Sequence, residues 1–220
     1  MVALHIDADP VGPTLAKTQY DKVAMGVSFT FDQDKAIAAV VFLASKGIPD
    51  LTKGKICKLI FLADKHHLVR FGRPITSDRI CAMKDGPVPS SILNMLNEVL
   101  ASPGESSYPL LEQSISVNRT FTNPHFEAPS FALEEFLSGS DLEALVAVVQ
   151  AFGDRTFGEL RRMTHDMPAY KKAWVDERPH NSPVMAFEDF FEEDDEAIQG
   201  ALEEMIDDYK LRQAFASTAF

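Results

Sequence analysis

Asp64, His66, His67 and His165 are the side chains here with the types and spacing for metal or acid–base chemistry. A carboxylate three residues before an imidazole lies on the same helix face and can orient the ring as a base. His66 and His67 point about 100° apart on a helix, so they are poorly placed to grip one ion together. No HxxxH or HExxH spacing supplies a substitute pair. An Asp64–His67 hydrogen bond would equally satisfy a polar pair placed beside a core. Nucleophilic chemistry has less support. There is no G-x-S-x-G elbow and no glycine-rich phosphate loop, and Cys57 stands among apolar neighbours where a thiol is inert.

The elements that must position these residues follow from periodicity. Asp32 or Asp34 suits a helix N-terminus, and Ile37, Val40, Val41 and Ala44 then form one apolar stripe that Gly47 and Pro49 end. A second helix is expected from Thr52 to Phe71. Its Ile56, Leu59, Ile60, Ala63 and His67 share a face, widened by Cys57, Phe61 and Leu68 into the central helix of the core. Gly72 and Pro74 stop it. Thr76 to Met83 reads as a short strand and Asp85-Gly86-Pro87 as a turn, with Pro87 or Pro89 opening a third helix that buries Ile92, Leu96, Val99 and Leu100.

Leu111, Gln113, Ile115 and Val117 alternate weakly and predict one or two short antiparallel strands, with Asn123-Pro124 as a turn. Ser140 to Glu143 and Thr156 to Glu159 both fit a capping box. A last helix is expected from about Asp194 to Ala214. The fold class is therefore α+β, mainly α: a single compact helical domain with a small antiparallel sheet and an acidic C-terminal helix. Residues 1–30 read as an N-terminal arm, 31–176 as the domain, and 177–220 as an acidic extension whose helix packs on the domain.

The chain has 220 residues, 45% hydrophobic and 25% charged, an ordinary globular balance. Its formal net charge of −12 is uneven, with the excess of carboxylates concentrated after residue 175. A nearly neutral body with an acidic end is repelled by phosphate backbones, which disfavours direct nucleic-acid binding. Lys53, Lys55 and Lys58 at the start of the second helix offer the one contrary sign, a helix-turn-helix-like basic end for a DNA-binding autoregulator. His5, Asp7 and Asp9 interrupt any secretory leader, the run Ala36 to Ser45 is too short for a bilayer, and Cys57 and Cys81 read as free thiols. A cytoplasmic protein without membrane contact is the expectation. In the acidic run, Phe187, Phe190 and Phe191 stand directly before Glu192 to Glu196. Aromatic anchors beside unpaired charge are the composition of a partner-binding segment, or the rings pin the last helix to the core.

Three blocks carry a family likeness: Lys58 to Asp64 through His67-Leu68 to Gly72-Arg73-Pro74-Ile75; Asp85-Gly86-Pro87-Val88-Pro89; and Thr156-Phe157-Gly158-Glu159-Leu160 through Thr164-His165 to Trp174. Their order and spacing resemble the SocA-like antitoxin family, the Panacea domain. The resemblance implies the antitoxin of a bacterial or phage toxin–antitoxin pair, neutralising a cognate toxin protein by direct contact. Some members of the family serve as proteolytic adaptors to an ATP-dependent protease. It implies no enzyme, cofactor or metal. By that likeness Asp64, His67, Gly86, Pro87, His165 and Trp174 are signature positions, with the surroundings of His67 and His165 as a contact groove. The competing reading is a metal-dependent or acid–base enzyme using Asp64, His67 and His165.

Overall fold

The computed structural model describes residues 27, 29–174 and 182–191. Asp32 caps the first helix, α1 (Gln33–Ala44), by accepting the Lys35 N–H. Every residue from Ala36 to Ala44 is buried, so α1 is enclosed on all sides and not along one stripe. Its sides are covered by the second helix, α2 (Lys53–Phe71), and by four later elements. Thr52 caps α2, and Gly72, in the left-handed region at φ 72°, ends it.

From Ile56 to Asp64 every residue of α2 is buried. Fully burying Ile56, Leu59, Ile60 and Phe61 contributes on the order of 1.5–3 kcal/mol each, which makes α2 the axis of the core. An antiparallel hairpin follows, β1 (Ile80–Met83) and β2 (Gly86–Pro89), with Cys81 opposite Val88. The sequence pattern places Pro87 or Pro89 at a helix start; both instead lie in β2, and α3 (Ser90–Ala101) begins directly after them. Strand pairing outweighs the proline signal because the Pro87 carbonyl points away from β1, to Lys58. The ring nitrogen on that same edge therefore owes the ladder no bond.

Pro109 opens a short helix, α4 (Pro109–Ser114), where alternation suggests a strand; only Ser116–Asn118 (β3) pairs, with His125–Glu127 (β4). A 3₁₀ turn (Glu134–Phe136) leads to α5 (Gly139–Phe152), α6 (Phe157–Asp166) and α7 (Pro168–Ala173). The box that starts α5 is Ser138 with Asp141, and not Ser140 with Glu143. The earlier start wins because Asp141 is fully buried among cations, whereas Glu143 is exposed and pairs with Arg70 at 2.8 Å. Thr156 and Glu159 form the second box as expected.

Residues 182–191 return to the core. Val184 bridges Cys81, Ala82 donates to the Pro183 carbonyl and Met185 to the Ile80 carbonyl, both at 2.8 Å, so the segment lies along the free edge of β1. It ends in a 3₁₀ turn (Phe187–Phe190). The architecture is mainly α with small antiparallel sheets. The expected helix from Asp194 to Ala214, most of the N-terminal arm, and the stretch between Trp174 and Ser182 lie outside the described residues. Among the described residues no helix is long and apolar enough to cross a membrane.

Candidate functional site

The signature residues divide between two structural networks and one node where the three sequence blocks meet. In the first network Asp64, 1% exposed, accepts the Ile75 and Thr76 amide N–H groups at 2.9 Å on Oδ1 and the Thr76 hydroxyl at 2.5 Å on Oδ2. Burial pushes its carboxyl up to about 7, opposed by those three donors. Ser77 then takes a left-handed φ of 57°, which turns the chain so that Asp78 reaches the next element. Asp78 accepts the N–H groups of Ser91 and Ile92 at 3.0 and 2.9 Å and caps α3, whose own N-cap position, Pro89, offers no side-chain acceptor. Asp64 is therefore a clamp on the loop after α2, with its oxygens already engaged.

His67, fully buried, belongs to a different network. Its Nδ1 lies 2.6 Å from the Arg73 carbonyl, which makes Nδ1 the donor, and its Nε2 lies 3.0 Å from Ser140 Oγ and 3.2 Å from Asp141 Oδ1. Asp141 Oδ2 accepts from Lys35 Nζ at 2.7 Å and from the Ser138 N–H at 2.9 Å, while Arg73 Nη2 stands 2.9 Å from Oδ1. Burial lowers the His67 pKa, with the neighbouring Arg73 and Lys35 charges adding to the effect. The hydrogen bond to the Arg73 carbonyl and the Asp141 charge oppose it, and the net lowering favours the neutral ring. Burial opposes ionisation of Asp141, yet Lys35 and Ser138 hold its carboxyl below the usual range. The network ties α1, α2, the 73–76 loop and α5 together. The expected Asp64–His67 pair does not form, and His165 stands in neither network. Among the described residues no group of three metal-ligating side chains gathers.

The node is built around Gly86. Lys58 from the first block, Gly86 and Pro87 from the second, and Thr164 and His165 from the third converge there. Lys58, 1% exposed, donates to the Pro87 carbonyl at 2.7 Å. Gly86 has φ +99°, and a Cβ added to it would lie 2.7 Å from Lys58 Nζ and 3.0 Å from both His165 Cδ2 and Thr164 Oγ1. Only glycine fits, on conformation and on space. Burial lowers the Lys58 pKa to about 8, and burial with the Arg161 and Lys58 charges lowers that of His165, which hydrogen-bonds the Asp85 backbone. The His165 Nε2 atom is buried without a hydrogen-bond partner among the described residues.

An aromatic ladder continues outward from the node. The Tyr170 ring lies 4.5 Å from His165 and stacks on Trp174 at 6.0 Å, while Tyr170 donates to the Met83 carbonyl at 2.9 Å. Arg161 Nε binds Asp85 Oδ1 at 2.8 Å and locks α6 to the exposed hairpin turn. The outer face of the node thus presents Lys84 and Asp85 on the hairpin turn, Arg161 on α6 and half-buried Trp174 just after α7.

Phe187, Phe190 and Phe191 are 8%, 1% and 7% exposed. Phe190 meets Phe61 edge-on at 5.6 Å, and Phe187 meets Phe29 at 5.2 Å. The rings pin residues 187–191 to the core and are not exposed anchors. The basic helix end that suggested DNA is also spent internally. Lys55 is 1% exposed and donates to the Pro49 carbonyl at 2.5 Å, Lys58 is in the node, and Lys53 binds Asn97. Asp78, Asp141 and the partners of Lys58 escaped the sequence reading, because each acts across a turn or a helix–helix contact that no local spacing announces.

A family model described as antitoxin SocA-like, Panacea domain, matches residues 56–174, just over half of the chain and the span that contains all three blocks. No curated protein and no solved structure matches the chain.

Proposed function

This chain belongs to the SocA-like antitoxin family, Panacea domain, and from that premise we propose that it neutralises a cognate toxin protein by binding it directly. The observation that carries the reading is the family match over residues 56–174. The geometry supports it: the signature groups are engaged with one another and with backbone, which suits a rigid binding platform. The outer face of the Gly86 node is the proposed contact surface. Trp174 and Arg161, of residue types that dominate binding energy, stand there, with buried Tyr170 stacked behind the tryptophan.

The test is co-expression with the product of the neighbouring gene. A toxic neighbour should be tolerated when this chain is present, and the two proteins should co-purify. A verified toxic neighbour that is neither neutralised nor bound refutes the proposal. Delivery of the toxin to an ATP-dependent protease is an alternative route to neutralisation. It predicts rescue that disappears in a protease-deficient host, whereas direct blocking predicts rescue that persists.

A further inference from the structure

The Gly86 node holds more positive charge than the described residues neutralise. Lys58 Nζ has one hydrogen-bond acceptor among them, the Pro87 carbonyl, and no carboxylate within ion-pair distance. Two of its three donors are left over, beside a buried His165 Nε2 that also lacks a partner. Lys84 is exposed on the hairpin turn, and Arg161 donates to its carbonyl at 3.4 Å through Nη2. One carboxylate, Asp85, serves this group and is already bound to Arg161. A desolvated cation whose nearby carboxylate is already committed to another cation is costly to a fold, and an arriving anion offsets that cost.

We infer that the face formed by Lys84, Arg161 and the buried Lys58 recognises an acidic patch on the toxin, an Asp or Glu side chain docking beside the hairpin turn. The inference rests on the toxin-binding reading and adds the chemistry of the partner surface. Lys84 and Arg161 are the accessible contacts, and Lys58 supplies attraction from beneath without being touched. Half-buried Trp174, backed by the buried Tyr170 ring, gives the apolar border that excludes water from such a contact. Charge complementarity of this kind acts most strongly on the association rate and on its salt dependence.

The experiment titrates the purified, inactivated product of the neighbouring gene against the full chain at low and high salt. Wild type is compared with the Lys84→Gln plus Arg161→Gln variant and with Lys46→Glu, which alters an exposed lysine on the turn after α1. The double variant should bind at least about tenfold more weakly at low salt, mainly through slower association, with a flatter salt dependence. Lys46→Glu should bind as wild type, and thermal melts should show all three proteins folded. If wild type binds but the double variant matches it, or binding is indifferent to salt, the inference is overturned while the antitoxin reading stands. If wild type does not bind a verified toxic neighbour, the antitoxin reading itself falls. If the wild-type chain alone dimerises and the double variant does not, the face belongs to a second copy and the toxin assignment is overturned.

Discussion

Asp64→Ala removes the acceptor of three buried donors at once: the Ile75 and Thr76 amide groups and the Thr76 hydroxyl. Each buried donor left without a partner costs about 1–3 kcal/mol, and partial relaxation of the loop brings the expected total to about 3–5 kcal/mol. Asp64→Asn keeps Oδ1 for both amides and turns an NH₂ toward a hydroxyl that can rotate to accept, so its cost should be about 1 kcal/mol. Urea denaturation of the three proteins measures both figures. The pH dependence adds a sharper test. The folded carboxyl, raised by burial to about 7, holds a proton that the unfolded chain has released above its ordinary value of 3.8. Stability therefore falls as pH rises between those values, by at most about 1.4 kcal/mol per pH unit. His67 acts in the opposite sense: its lowered pKa means that stability falls as pH drops below the ordinary histidine value of 6.5. The difference between wild type and Asp64→Asn cancels the His67 contribution and should isolate the Asp64 slope. A cost for Asp64→Ala below about 1 kcal/mol, or an Asn variant as damaged as the Ala variant, would refute the clamp.

Gly86→Ala should cost about 2–4 kcal/mol, since a positive φ and close contacts with Lys58, His165 and Thr164 add together, whereas Gly72→Ala, with open space at its Cβ position, should lose only about 1 kcal/mol; chemical denaturation separates the two. Phe190→Ala empties a site against Phe61 and should cost about 3–5 kcal/mol by thermal or urea melting, and a loss below about 1 kcal/mol would remove residues 187–191 from the core. His67→Gln should flatten part of the loss of stability on the acid side of pH 6.5, read from melts across pH, because it removes a ring whose pKa burial lowers, leaving the share of His165.

Much of the helical framework was legible because its signals are local. The apolar face of Ile56, Leu59 and Ile60, with Thr52 before it and Gly72 after it, marks α2 unambiguously. The box at Thr156 is equally plain, since its Glu159 stands in solvent where nothing competes. The start of α5 was ambiguous because two S-x-x-acid frames overlap, and the buried salt network at Asp141 chooses between them. Alternation from Leu111 to Val117 holds at its end, where Val117 lies in β3 paired with β4, and fails at its start, where Pro109 opens a short helix over Leu111 and Gln113. Gly86 and His165 carry their meaning only in three dimensions. Nothing near either residue in sequence says that the missing Cβ of one makes room for the ammonium of Lys58 and the ring of the other.

Hydrogen–deuterium exchange on the purified complex with the cognate toxin tests the central claim most directly. Binding through the outer face of the Gly86 node should slow exchange at residues 83–86 and along α6 and α7, and leave α3, α4 and β3 unchanged. Protection confined to the cleft between Val99 and Arg119, with none at the hairpin turn or α6, would contradict the account.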